Sequence, residues 1–95
     1  MSQLDHDLNK KTTVMNALGL HARPAAMIAN LAIKAQSDIW LCKNGAQVDA
    51  SSIIDILALG CQKGADITLK AENPEDKKIL NKIINLFEKR FGEKI

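Results

Sequence analysis

The chain has 95 residues, enough for one compact domain and too few for two. Thirteen Lys and Arg oppose eleven Asp and Glu, a net charge of +2, and only 3% of residues are aromatic. This excludes a protein that binds nucleic acid through phosphate neutralisation or base stacking. No apolar run approaches the ~20 residues of a membrane span: residues 25–33 are broken by Asn30 and residues 51–59 by Asp55.

The first nine residues are mostly polar, with acids early and no apolar core, so they do not read as a secretory signal. Residues 1–9 are expected to form a flexible extension and residues 10–95 a single domain. Residues 11–16 are β-branched at their centre and predict a strand. Gly19 breaks the chain before an Ala-rich segment, 22–35. There Ala25, Ile28, Ala29, Ala32 and Ile33 recur at the spacing of one helix face. Pro24 falls in the first turn, where a missing N–H is harmless, so this helix starts within a residue or two of His21.

Residues 38–43 predict a second strand, and Asn44-Gly45 is a strong hairpin turn leading into a short strand, 46–49. Ser51 or Ser52 then caps a short helix that runs to Leu59 and ends at Gly60. Residues 65–71 alternate apolar and polar and predict a fourth strand. In the last element Asn73 is the N-cap and Pro74 the first helical residue. Leu80, Ile83, Ile84, Phe87 and Phe91 share a face, and Gly92 is the expected stop. The order β-α-β-β-α-β-α, with short strands and a tight hairpin, gives an α+β fold with helices covering one sheet face.

The chemistry concentrates in Gly19-Leu20-His21-Ala22-Arg23-Pro24-Ala25. First-turn N–H groups lack helical partners, and the helix dipole adds positive charge. Together they make an anion site, to which Arg23 adds a guanidinium suited to phosphate oxygens. The same field disfavours a cationic imidazole, and a neutral ring keeps a lone pair for nucleophilic attack. A nucleophilic His21 inside a phosphate nest points to a transient phosphohistidine. With no P-loop and no metal cluster in the sequence, the donor has to be another protein. The alternative is a capping or surface histidine beside a solvated arginine. Arg23 is one of only two arginines, against eleven lysines, which leans slightly towards phosphate.

This segment resembles the active-site signature of the HPr family, the histidine-containing phosphocarriers of the phosphoenolpyruvate-dependent sugar phosphotransferase system. The resemblance covers about residues 10–92. It implies an HPr-like open-faced β-sandwich: a four-stranded antiparallel sheet with three helices on one face. It implies a carrier, not an enzyme, that needs no cofactor and no metal. His21 is then the residue phosphorylated at Nδ1 by enzyme I, and it passes the phosphoryl group to EIIA domains. Arg23 steadies the phosphate, and the N–H groups of Ala22 and Arg23 hold its oxygens. The family often has Ser or Thr at position 22, so Ala22 lacks a hydroxyl cap but leaves the nucleophile intact.

Ser52, 31 residues after His21, falls where many bacterial family members carry a regulatory serine modified by HPr kinase/phosphorylase. The local reading is simpler: Ser52 with Asp55 is an ordinary N-cap with an acid in the first turn. Where Asp55 stands, the kinase substrates often have Gly, a departure from the pattern. The resemblance also implies that Leu20, Ile53, Ile54 and Leu57 form an apolar docking patch, against the alternative that they pack in the core. Cys42 and Cys61, in no metal-binding spacing, are expected to be buried structural thiols in a cytoplasmic protein. His6 sits in the extension, and Lys77, Lys78, Lys82 and Lys89 read as the wet face of the last helix. The resemblance implies a monomer that binds no nucleic acid and does not insert into membranes. Two other functions fit the same residues: a nitrogen-branch carrier, NPr, and a regulatory module that docks without phosphotransfer.

Overall fold

The structure is a computed structural model and describes residues 8–94. Among these residues, four strands and three α-helices follow in the order β-α-β-β-α-β-α. Strand β1 is Asn9–Thr13, helix α1 Ala22–Ala32, β2 Ile39–Lys43, β3 Ala46–Asp49, helix α2 Ile53–Leu59, β4 Asp66–Ala71 and helix α3 Lys77–Glu88. The strands form one fully antiparallel sheet in the order β1-β4-β2-β3. The expected α+β architecture is therefore present.

Alternation sets the two sheet faces. Ile39 and Leu41 of β2 and Ile67, Leu69 and Ala71 of β4 are buried, and Leu41 pairs with Leu69 in register. They meet Ala25, Ile28 and Ala32 of α1, Ile56 of α2, and Leu80, Ile83 and Phe87 of α3 in one core. Trp40, Cys42, Thr68 and Lys70 lie on the opposite pleat and are only partly covered. Cys42 is accordingly half-exposed, against the expectation of burial, while Cys61 is buried.

The turns follow their local chemistry. Asn44 and Gly45 both take positive φ, 50° and 85°, the two left-handed residues that match a two-residue hairpin to strand twist. Ser52 is the N-cap of α2, its Oγ accepting from Asp55 N at 3.2 Å, and Gly60 ends that helix in a left-handed cap. Lys43 reinforces the end by donating to Gly60 O at 3.1 Å. Asp76 is buried and accepts from Gln36 N and Ser37 N at 2.7 and 2.9 Å, which ties the exit of α1 to the start of α3.

Helix α3 begins at Lys77, after a separate 3-10 turn over Pro74–Asp76 that Asn73 caps, and not at Pro74 as expected. Four other boundaries also differ from expectation. The sheet begins at Asn9, with Leu8 O already accepting from Ala71 N, so pairing reaches back past the expected boundary at residue 10. The remainder of the expected extension, including His6, lies outside the described residues. Strand β1 ends at Thr13, not residue 16, because Val14 and Gly64 bond each other's loops and Asn16 turns inward. Helix α1 stops at Ala32, where its last amides shift to three-residue bonding and turn Ile33 out, leaving it 72% exposed.

The fourth difference is at the C-terminal end. Helix α3 stops at Glu88, four residues before Gly92, and Arg90, Phe91 and Gly92 follow with φ of 54°, 55° and 76°. A left-handed non-glycine residue costs about 1–2 kcal/mol. The turn nevertheless buries Phe91 against Phe87, edge to face at 4.9 Å. Burying a Phe is worth about 1.5–3 kcal/mol, and the ring pair about 0.5–1.5 more, which offsets the two strained residues. Phe91 thus reaches the core as expected, but through a reversed turn and not as the next position of the helix face.

Candidate functional site

The loop from residue 14 to residue 21 is stitched to the loop before β4. Val14 N bonds Ala65 O, Gly64 N bonds Val14 O, and Leu20 N bonds Cys61 O at 2.9 Å. The two segments approach so closely that a Cβ on Gly19 would sit 2.4 Å from Cys61 O, and its φ of +69° independently strains any other residue there. Glycine is what lets this loop lie flat on its neighbour and deliver His21 to the start of α1.

His21 is the N-cap of α1, in extended conformation, and makes no side-chain cap bond. Its carbonyl accepts the first helical bond from Ala25 N. Its side chain is 34% exposed and that of Arg23 59%. Nucleophile candidate and guanidinium therefore both stand at the surface, two residues apart. Pro24 is buried beneath them and fixes the first turn.

Two residues join this pair that local sequence did not single out. Glu93, delivered by the left-handed turn, lies 2.6 Å from His21 Nε2 and 3.5 Å from Arg23 Nη1 through the same Oε2. Arg23 Nη1 also donates to Phe91 O at 3.3 Å. Asn16 is fully buried, and its amide nitrogen donates both to Gly19 O at 2.8 Å and to Glu93 Oε1 at 3.0 Å. The Asn16 hydrogen bond does most to hold the Glu93 carboxyl below the usual carboxylate range. Desolvation, second in size, pushes the other way, and the His21 hydrogen bond and the charges of His21 and Arg23 add lesser downward contributions. Asn16 and Glu93 are 77 positions apart, and His21 and Glu93 72, so no local spacing could pair them. The run Phe91-Gly92-Glu93 was the available signal: an apolar anchor, a glycine and an acid just past a helix.

The expected docking residues divide. Ile53, Ile54 and Leu57 are all exposed, Ile54 at 77%, and α2 buries only Ile56. Leu20 is the correction. It is 4% exposed and packs in the core, because its amide is tied to Cys61 O and its side chain is drawn inward. Leu18, two residues earlier in the loop and 69% exposed, presents apolar surface instead. Ser52 lies at the head of the exposed α2 face, partly buried, with its hydroxyl already engaged as a cap. A shallow depression of about 570 Å³ on the uncovered sheet face, beside Lys11, Cys42 and Thr68, includes none of these residues.

The family model described as the PTS HPr component phosphorylation site matches residues 8–89. The chain belongs to the HPr family. It is 37% identical over 86 residues to a phosphocarrier protein HPr of Cupriavidus necator, covering 90% of this chain and 97% of that one. It is 36% identical over 84 residues to the HPr of Treponema pallidum, covering 88% and 96%. Among solved structures it resembles an HPr of Thermoanaerobacter tengcongensis with a TM-score of 0.86 at 36% identity, covering 92% and 98%. The HPr of Bacillus anthracis gives 0.77 at 31%, covering 84% and 95%. Another T. tengcongensis HPr structure is described as a dimer. The open-faced sheet of this chain is thus the HPr fold, and phosphocarriage is the family's function. No helix among the described residues is long and apolar enough to cross a membrane.

Proposed function

We propose that this HPr-family chain carries a phosphoryl group on His21 in a cytoplasmic phosphoenolpyruvate-dependent relay. The group arrives from phospho-enzyme I and leaves to an EIIA domain of the sugar phosphotransferase system. One observation carries the reading: His21 caps α1 with its backbone alone, so Nδ1 of its ring is left for chemistry at a partly exposed surface beside Arg23. In-line transfer between two proteins needs the phosphate presented outward, where a partner's histidine can attack it. The amides of Ala22 and Arg23 and the Arg23 guanidinium would receive its oxygens, with Arg23 leaving Phe91 O and Glu93 to do so. Ile53, Ile54 and Leu57 would form the apolar contact for both partners.

The test is incubation with phosphoenolpyruvate and enzyme I. Acid-labile, alkali-stable phosphate should form on the wild type and be absent from His21→Ala. Labelling that persists in the variant, or none in the wild type, refutes the carrier reading. Ser52 sits at the head of the same face and carries the second modification we infer. A phosphate there would keep the favourable pole of α2 but crowd the docking residues with charge, against Asp55. ATP and HPr kinase/phosphorylase should then give acid-stable phosphate that Ser52→Ala removes.

A further inference from the structure

We propose that Glu93 is a positioning residue for His21: its carboxylate holds the ring by Nε2 and thereby makes Nδ1 the nucleophile. This rests on His21 as the phosphoryl acceptor and adds a group outside the residues 8–89 that match the family model.

A carboxylate accepts hydrogen bonds and cannot donate them. At 2.6 Å from Glu93 Oε2, Nε2 must therefore carry the proton, and in the neutral ring the lone pair is left on Nδ1. Nδ1 makes no side-chain cap bond to the first turn of α1, so that pair is uncommitted. When Nδ1 attacks the phosphorus of a donor phosphohistidine, a new N–P bond forms. The donor's P–N bond breaks and its electron pair returns to the donor nitrogen. The His21 ring keeps its Nε2 proton and becomes positive. Glu93, already ionised and in contact with that proton, meets the charge as it develops.

Three features indicate that the carboxylate is held on purpose. Asn16 spends both amide hydrogens on Gly19 O and Glu93 Oε1, and its own Oδ1 is left buried with no partner among the described residues. The opposite orientation of that amide would aim Oδ1 at two acceptors, so the bond to Glu93 fixes it. Arg90 and Phe91 both adopt left-handed backbone just before Glu93, with Phe91 anchored in the core. Finally, Arg23 binds the same turn at Phe91 O and the same carboxylate oxygen, so the acid is clamped from three sides.

The tautomer can be read without any phosphoryl donor, by two-bond ¹H–¹⁵N correlation of the His21 ring at mildly alkaline pH. The wild type should be in the Nε2–H form. Glu93→Gln can turn its amide NH₂ towards Nε2 and should move the ring towards Nδ1–H, whereas Glu93→Ala only removes the acceptor and should loosen the Nε2–H preference. Phosphoryl uptake from phospho-enzyme I should slow roughly 10- to 100-fold in both, by analogy with the loss of groups that orient metal-ligating histidines. Asn16→Ala should shift both readouts in the same direction by less. Backbone amide spectra serve to confirm that each variant is folded. A tautomer unchanged in Glu93→Gln overturns the proposal, as does slowed uptake in that variant with its ring still in the Nε2–H form. Failure of His21 to accept phosphate in the wild type would instead overturn the carrier reading, while the tautomer result would still report on Glu93.

Discussion

Helices α1 and α2 begin in opposite ways. At α2 the Ser52 hydroxyl accepts from Asp55 N, an acid sits in the first turn, and a left-handed glycine closes the other end. At α1 a histidine occupies the cap position without bonding the first turn, no acid follows, and the next charged residue is an arginine. A capped helix start has its anion site filled by its own side chains. The uncapped start keeps donors and positive charge for something outside the chain. The energy that a serine or asparagine would have contributed to α1 is replaced by one local and one distant group: Pro24 packed below, and Glu93 fastened to the ring.

Replacing His21 by Ser gives the strongest test of this contrast. Phosphate uptake should vanish, while thermal stability stays level or rises, because a new cap worth about 1 kcal/mol offsets the lost Glu93 contact. A fall of several degrees in Tm would mean the histidine is there for stability. Next in size is Gly19→Ala. The added carbon meets Cys61 O and demands a left-handed alanine. Chemical denaturation should show a loss exceeding about 2 kcal/mol, with uptake impaired in the fraction still folded. Ser52→Ala should cost about 1 kcal/mol in the same assay and leave uptake from enzyme I at the wild-type rate. Loss of uptake there would erase the division between a structural and a chemical helix start.

The smallest effect concerns pH. Glu93 is held below the usual carboxylate range mainly by Asn16, so its contribution to stability is complete at neutral pH. That contribution disappears as pH falls through its lowered value. The stability difference between wild type and Glu93→Gln should therefore shrink on acidification, and Asn16→Ala should bring the Glu93 titration, followed by carboxyl ¹³C shifts, back up towards that of an ordinary glutamate. A difference that grows with acid would reverse the sign and remove Glu93 from the site's electrostatics.

Sequence was informative where the physics is short-ranged. The Asn44-Gly45 hairpin, the Ser52 cap, the Gly60 stop and the placement of His21 ahead of Pro24 each depend on a few neighbouring residues, and all four are present. The α3 terminus was misjudged because Gly92 looks like a helix stop, whereas the chain had already left the helix and reversed its hand to bury Phe91. The resemblance implies a docking role for Leu20, but nothing in the local sequence tells which way that side chain faces. Which of Leu18 and Leu20 faces inward depends on the bond between Leu20 N and Cys61 O, made across the fold.

By itself, the sequence determined the element order, the two caps of α2 and the pairing of one histidine with one arginine at a helix start, because periodicity and capping act within a turn or two. Only the tertiary structure decided how that histidine is held. Glu93 reaches it across 72 positions, and Asn16 fixes the acid from the far side. Such contacts arise when core burial of Phe91 outweighs the strain of a left-handed turn, a balance between distant parts of the chain that no local pattern records.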